Sequence, residues 1–416
     1  MIRLLVVLSI ALIPCWAYSQ DTLVSRQEYR EAVLAYSLDL KLAAQYESQL
    51  KAQRQAVRTG HLPKLSLSGS FTASARNFTN RKHWTFDLQP QLIQTLWGKG
   101  IGIQVQNADL EIEIAQLNEK SSRLEILYAA DFAYWNLSAM GLYVHSMKHY
   151  VAIIESLKQI VEQRFEEGYI AKSDVLMIQT RLQEARYELI NAQENYAIAR
   201  HHFNSLRGCQ LDHKIALREQ ITASQALPRR VLWQNLLALR PDYRATTLKT
   251  RQALLHEKMV KSSYKPQLEI GVGGIWRPYL PNQNGDTYLD GSAFVRLSVP
   301  LFHWNERRAK VRASSWAVQQ QQTLEEQLSD ALKLEEGNAW TSIINHQAQV
   351  QSMRTNLELA GENLEMSTYS YGEGQATILD VMQAQLSWIS LYTNMIHAHF
   401  EYAIAVANYE RITAKE

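Results

Sequence analysis

Two carboxylates with matching surroundings are the first candidates for chemistry in this sequence. Asp174 and Asp380 each lie six residues after a glycine, Gly168 and Gly374, and each falls in the first turn of a predicted helix, with Ser173 as the predicted cap of the first one. A carboxylate at this position stabilises the unpaired backbone N–H groups that begin a helix. Repeated by symmetry around a narrow pore, such carboxylates would form a negative ring that favours and binds cations. Both roles stay open for both residues.

No arrangement typical of an active site accompanies these carboxylates. His201 and His202 are adjacent, and His397 and His399 are two residues apart, so neither pair has the i, i+4 spacing of zinc-binding histidines on a helix. The glycine-rich run 271–274 lacks the lysine and the Ser/Thr of a phosphate-binding loop, and it is typical of a bend in a strand. We therefore predict that the protein is not an enzyme and that it uses no cofactor and no metal.

The surroundings of the two carboxylates match because the chain contains an internal repeat. Residues 165–203 and 371–409 align at one constant offset of 206, which is the signature of a duplicated structural unit. Each copy also carries ten apolar positions spaced alternately three and four residues apart, from Val175 to Leu206 and from Val381 to Ile412. This pattern predicts coiled-coil packing, and the alternative is a helix buried in an ordinary core.

The N-terminal residues predict export from the cytoplasm. Residues 1–19 combine one Arg, a short apolar run and small residues before Gln20, as in a cleaved signal peptide. Cys15 leaves a second interpretation open, that of a bacterial lipoprotein whose lipid is attached there. No other stretch reaches the roughly 18 apolar residues of a membrane-spanning helix, so a membrane form would have to enter the bilayer as a β-barrel. The net charge of +2 gives no electrostatic footprint for nucleic acid.

Two segments, 64–97 and 266–302, change from the helical period to strict alternation of apolar and polar residues. Each predicts a β-hairpin with one apolar and one polar face, whose strands of about ten residues are long enough to cross a membrane when tilted. Aromatic residues such as Trp97, Phe302 and Trp304 lie near the strand ends, where membrane proteins place interfacial girdles. Four strands cannot close a barrel, so insertion implies an oligomer that shares one. The alternative is a pair of soluble hairpins packed on helices.

Each half of the chain therefore has the order helix, hairpin, long helix, turn, long helix. The long helices are predicted over about 104–167 and 306–371, within proline-free stretches. The predicted divisions are a signal peptide at 1–19, a first repeat at 20–208 with its turn at 168–174, an equatorial connector at 209–240, and a second repeat at 241–416 with its turn at 372–380.

In this order and duplication, the sequence resembles the TolC family of bacterial outer-membrane efflux ducts over nearly all of the mature chain. The resemblance rests on the two glycine-to-aspartate turns and on two short motifs, Arg240-Pro241-Asp242 before the second hairpin and the run VPLF at 299–302. It implies an α+β membrane protein that forms a homotrimer in the outer membrane of a Gram-negative bacterium. Each chain would supply four strands to a twelve-stranded β-barrel, and its coiled-coil helices would form an α-barrel through the periplasm.

The resemblance also implies a function and partners. The protein would be the passive exit duct of a tripartite efflux or type I secretion system. A periplasmic adaptor protein and an inner-membrane pump of RND or ABC type would open it, and outer-membrane lipid would surround it. The rival interpretation is a secreted coiled-coil structural or adhesion protein without a pore.

Individual tip residues match the family pattern as well. Tyr371 matches a tip tyrosine and Asp174 the carboxylate that it bonds, which implies a latch between neighbouring helix pairs; simple packing is the alternative for Tyr371. Asp380 matches an acidic ring at the constriction. The chain departs from the family at Gln383, where a second acid often stands, and at Ala376, where an arginine can tie the tip to a neighbour.

Overall fold

The computed structural model describes residues 23–75, 82–223, 226–278 and 287–415. The predicted signal peptide lies outside these residues. Two compact units divide the chain. The first contains the described residues up to Lys41 together with Lys120–Arg240 and the stretch from Ala331 onward, and the second contains Leu42–Glu119 and Pro241–Asp330. The predicted division by sequence repeat stays a prediction.

Long helices make up most of both units. They are α1 (Arg26–Tyr36), α2 (Leu38–Arg58), α3 (Ile101–Glu166), α4 (Lys172–Leu206), α5 (Trp233–Leu239), α6 (Pro241–Ser262), α7 (Glu306–Gly372) and α8 (Ile378–Ile412). The helices α3 and α7, with 66 and 67 residues, are continuous as predicted. Among the described residues, no helix has a run of apolar residues sufficient to cross a membrane.

The single helix predicted before the hairpin in each half of the chain is interrupted. Ser37 leaves helical geometry between α1 and α2, with a ψ of 120°. Arg240 is extended between α5 and α6 because the next residue, Pro241, disfavours helical geometry in the residue before it. Pro241 then begins α6, a position where its missing N–H costs no hydrogen bond.

The second unit carries one antiparallel sheet that joins both predicted hairpins. Its strands run in the order β2 (Lys64–Ala75), β3 (Lys82–Trp97), β5 (Gln267–Arg277) and β6 (Tyr288–Ser298). The predicted α+β class is thereby confirmed. The strands β2 and β6 are the two outer strands of this sheet, and β3 pairs with β5 between them.

The register of this sheet separates its residues by polarity onto two faces. One row of cross-strand neighbours on the apolar face is Leu65, Leu92, Val272 and Ala293. The adjacent row on the opposite face is Ser66, Gln91, Gly273 and Ser292. Leu65 and Val272 remain exposed in the single chain. One face is therefore an apolar surface that the chain does not cover by itself.

The first unit is held together by helix packing and by a buried ion-pair cluster. Short strands β1 (Leu23–Val24) and β4 (Ala216–Leu217) pair in parallel and tie the segment before α1 to the segment after α4. Tyr29 of α1 stacks on Phe203 of α4 at a centroid separation of 3.8 Å. Asp131 of α3 is 1 % exposed and receives hydrogen bonds from the guanidinium groups of Arg26 and Arg30. This cluster anchors α1 on α3.

Candidate functional site

The candidate site consists of the two turns that join α3 to α4 and α7 to α8, which we call the tip turns (residues 167–171 and 373–377). Gly168 and Gly374 have φ values of +82° and +76°, the left-handed geometry that favours glycine. Around Gly168, the N–H of Gly168 donates to the carbonyl of Phe165 at 3.0 Å and the N–H of Tyr169 donates to Arg164 at 2.9 Å. The same two bonds occur 206 residues later, from Gly374 to Tyr371 and from Gln375 to Ser370. The duplication seen in the sequence is therefore a duplication of backbone geometry.

The two tip turns differ in how the following helix is capped. Thr377 caps α8, and its hydroxyl and N–H both donate to Oδ2 of Asp380, at 2.7 and 2.8 Å. These hydrogen bonds, that of the Thr377 hydroxyl first, hold the pKa of Asp380 below its usual value. At the equivalent position before α4 stands Ala171, whose methyl side chain cannot accept a hydrogen bond from the backbone. The prediction that Ser173 caps α4 is wrong, because the cap position is Ala171, two residues earlier, which places Ser173 in the first turn of the helix.

Because of this difference in capping, Asp174 and Asp380 have different structural roles. The carboxylate of Asp380 serves the start of α8 as one half of a capping box. The carboxylate of Asp174 takes no part in a cap and, within the part of the chain that the structure describes, accepts one hydrogen bond, at 3.2 Å from the neighbouring hydroxyl of Ser173. Asp174 is half-buried and keeps acceptor capacity for a partner outside its own helix.

Tyr371 lies in the packed interior just before the second tip turn. Its side chain is buried in a cluster with Val161, Ile178 and Val381 of α3, α4 and α8, so both helix pairs of the protomer pack together here. The Tyr371 hydroxyl is buried and has no hydrogen-bond partner among the described residues. Burial raises the pKa of Tyr371; Asp174 raises it further by its charge, and the cation of Arg164 opposes both. Asp174 is thus close enough to act on the hydroxyl electrostatically, without a hydrogen bond between the two side chains.

Arg164 joins the C-terminal ends of α3 and α7 beside the tip turns, and the sequence analysis did not predict this contact. The guanidinium of Arg164, in the last turn of α3, donates to the carbonyl oxygen of Gly372 at 2.5 Å. Its central carbon also lies 5.0 Å from the centroid of the Tyr371 ring, a cation–π geometry. A cation suits the C-terminal end of a helix, and Arg164 here serves the ends of two helices at once. Ala376 cannot supply such a contact, and Arg164 provides a guanidinium from the other helix pair instead.

The surroundings of the tip turns are acidic. Within residues 162–174 and 371–380 the carboxylates are Glu162, Glu166, Glu167, Asp174, Glu373 and Asp380, and the cations are Arg164 and Lys172. Gln383 lies one turn after Asp380 on the exposed side of α8 and adds no charge. The three glutamates in or next to the turns (Glu166, Glu167 and Glu373) are exposed and were missed by the sequence analysis, although their charge and position could have indicated them. The acidity of the tips therefore does not depend on Asp380 alone.

The structure thus brings most of the predicted residues into one region. Asp174 and Tyr371 lie near each other, Asp380 and Gln383 follow on α8, and the two glycines form the turns.

Comparison with known proteins assigns the family. The sequence profile of the outer membrane efflux protein family matches residues 30–208 and 232–414, and the chain belongs to this family. It is an efflux channel of a tripartite system, placed in the outer membrane of a Gram-negative bacterium. The rival interpretation of a secreted coiled-coil protein without a pore is thereby wrong.

Individual relatives are similar over nearly the full length. Nodulation protein T of Rhizobium leguminosarum bv. trifolii is 21 % identical over 412 residues, which cover 95 % of this chain and 86 % of the relative. Outer membrane protein TolC of Vibrio cholerae is 20 % identical over 382 residues, which cover 88 % and 85 %. The crystal structure of CusC superposes with a TM-score of 0.82 at 14 % identity, covering 93 % of this chain and 91 % of the CusC chain. This last likeness confirms the fold.

Proposed function

We propose that three copies of this chain share one closed β-barrel and form a passive exit duct. The observation that carries this proposal is the sheet with one apolar and one polar face, whose outer strands β2 and β6 each pair on one side only among the described residues. Unpaired backbone groups at a strand edge are too costly in lipid, so β6 of one chain must meet β2 of the next. Three four-stranded sheets give twelve strands, within the range of known outer-membrane barrels.

The polar face of the sheet suits the water-filled inside of such a barrel. It carries the ion pair between Arg277 and Asp87, with an N···O distance of 2.5 Å, beside the serine and glutamine side chains of the neighbouring rows. The polar face would then meet water and the apolar face lipid, as the alternation of polar and apolar residues along a membrane strand requires.

The tip turns form the gate of this duct. The Asp174 carboxylate caps no helix, and the buried hydroxyl of Tyr371 lacks a hydrogen-bond partner among the described residues, at a cost of about 1–3 kcal/mol. A hydrogen bond from this hydroxyl to an Asp174 carboxylate would remove that cost and latch neighbouring helix pairs. One such charged hydrogen bond contributes about 1.5–3 kcal/mol, so the few latches of a trimer can be undone by a tightly bound partner.

The partners that open the gate are a periplasmic adaptor protein and an inner-membrane pump of RND or ABC type. The family assignment and the exposed, acidic tip turns support this part of the proposal. The same acidity, repeated three times around the entrance, favours cations over anions.

The latch is tested by single-channel recording of purified trimers in a planar bilayer. Tyr371→Phe and Asp174→Ala, singly and together, should raise the conductance or the open fraction. If the two side chains bond each other, the double variant should add little to the larger single effect. Ser173→Ala is the matched control, since it changes the first turn of α4, where Asp174 lies, without removing either latch group. Unchanged conductance in the double variant would refute the latch while leaving the trimer intact.

A further inference from the structure

A basic groove lies in the second unit where α6 ends and α7 begins. Its volume is about 610 Å³, and it is lined by Glu257, Lys261, Arg307, Arg308, Val311, Arg312 and Ser315. Four of these seven side chains are cations. Three of the four are arginines, whose planar guanidinium groups bind phosphate oxygens in pairs.

The arginines of this groove keep their charge available. The two acidic residues nearby are already paired along their own helices: Glu257 with Lys261 at 2.7 Å, and Glu306 with Lys310. Arg307, Arg308 and Arg312 are exposed and form no ion pair among the described residues. Three cations held close together without counter-charges repel each other, and an anion between them would relieve that repulsion.

An exposed apolar segment leads directly into the groove. Leu301 is 90 % exposed, Phe302 70 % and Trp304 87 %, and the two aromatic rings contact edge to face at 4.9 Å. Trp304 and the next residue, Asn305, have φ values of +43° and +66°, which are uncommon for residues other than glycine. The backbone is therefore strained at the position where a large, exposed aromatic side chain lies one turn before the arginines.

Chain connectivity fixes where the groove lies relative to the membrane strands. Lys261 is six residues before β5 begins, and Arg307 is nine residues after β6 ends. The groove is therefore at the end of the sheet that adjoins the helices. In an outer-membrane protein whose helices extend into the periplasm, this end meets the headgroups of the inner leaflet.

We propose that this groove binds the phosphate of an acidic glycerophospholipid of the inner leaflet, while the segment 301–304 rests among its acyl chains. The proposal rests on the membrane orientation of the sheet given above. Aromatic side chains favour the interface between water and lipid, and clustered Lys or Arg beside it attract anionic headgroups. Both features occur here within twelve consecutive residues, 301–312.

The probe is phosphatidylglycerol added to the purified, detergent-solubilised protein, with retained lipid counted by native mass spectrometry. The variant Arg307→Gln/Arg308→Gln/Arg312→Gln should lose affinity by about fivefold per cation, on the order of a hundredfold in total. The variant with lysine at the same three positions keeps the charge and should retain most of the binding. The control Lys148→Gln/Arg186→Gln/Arg354→Gln removes three exposed cations from the first unit and should bind like the natural chain.

Several outcomes would overturn the proposal. Zwitterionic phosphatidylethanolamine retained as well as phosphatidylglycerol would show that the charge has no role. If millimolar inorganic phosphate displaced the lipid completely and bound the glutamine variant as well as the natural chain, the effect would be a nonspecific one of anions. Loss of the trimer in the glutamine variant, with the lysine variant still trimeric, would make the groove a subunit interface instead.

The failure of this proposal can be told apart from a failure of the proposed channel. The glutamine variant should keep the trimer mass and the conductance of the natural chain, since it touches neither the tip turns nor the strands. Trp304→Ala should lower the retention of acidic and zwitterionic lipids by a similar factor, because the ring is expected to contact acyl chains. If the natural chain forms no trimer and no channel, the premise fails before the lipid test is reached.

Discussion

Replacing Arg164 tests how the two tip turns are held together. In Arg164→Met the side chain keeps most of its aliphatic length but loses the hydrogen bond to the Gly372 carbonyl and the cation above the Tyr371 ring. A hydrogen bond from a charged donor contributes about 1.5–3 kcal/mol, and Arg164 is half-buried, so we take the lower end. An exposed cation–π contact adds about 0.5–1 kcal/mol. The variant should therefore lose about 2 kcal/mol of closed-state stability in each protomer, which is about a 30-fold shift in the equilibrium of one tip.

The assay is single-channel recording of the variant beside two controls. Arg164→Lys keeps a positive charge but not the planar group, so its open fraction should lie between those of the natural chain and Arg164→Met. Arg186→Met removes an exposed ion pair to Glu155, between the two helices of one pair only, and should leave the gate unchanged. If Arg164→Met opens no more often than Arg186→Met, the contact from Arg164 to Gly372 does not stabilise the closed gate.

Three further predictions concern the cap, the buried cluster and the sheet. Asp380→Asn should reduce the preference for cations, seen as a smaller reversal potential in a salt gradient. Because the hydrogen bonds from Thr377 lower the pKa of Asp380, the cap should be fully present above about pH 4 and be lost as the pH falls through the depressed pKa. Hydrogen exchange of the first turn of α8 can follow this loss. Asp131→Asn removes one of the two carboxylates that pair with the half-buried Arg26 and Arg30, with Glu410 still in place, and should lower the free energy of unfolding by about 1.5–3 kcal/mol, measured by chemical denaturation. Gly271→Ala would place a methyl group 2.5 Å from the ring of Phe294 and should reduce the amount of trimer assembled in the outer membrane, with Gly271→Ala/Phe294→Ala restoring it.

Each of these three predictions has a control in the chain. Glu373→Gln removes an exposed tip charge without touching the cap, so it should not alter hydrogen exchange in α8. Glu155→Gln removes an exposed carboxylate of α3 and should change the free energy of unfolding little. Gly291→Ala adds a methyl group where nothing lies within 4 Å, so assembly as poor as that of Gly271→Ala would contradict the steric explanation.

The sequence was sufficient to predict the repeated architecture because that architecture depends on periodicity. Heptad spacing indicated α4 and α8, the absence of proline indicated α3 and α7, and strict alternation indicated the two hairpins. The glycines at 168 and 374 predicted the tip turns because a helix often ends at a residue with left-handed backbone geometry, which glycine adopts without strain. Each of these features is local, so a single sequence contains the whole signal.

What the sequence did not predict depends on contacts between distant residues. The bond from Arg164 to Gly372 spans 208 positions, and no spacing rule connects them. The pairing of β3 with β5, which joins the hairpins into one sheet, is equally non-local. The cap at Thr377 was readable as Thr-x-x-Asp and was overlooked, whereas the start of α4 was misplaced because a helix boundary is uncertain by a residue or two.

The most direct test of the gated duct is a single-channel recording of the natural chain in a salt gradient, after its oligomeric mass has been measured in detergent. We expect a trimer with a small, cation-preferring conductance that rises when Asp174 and Tyr371 are replaced together. A monomer that gives no conductance, or a channel that prefers anions, would contradict a gated duct with an acidic entrance.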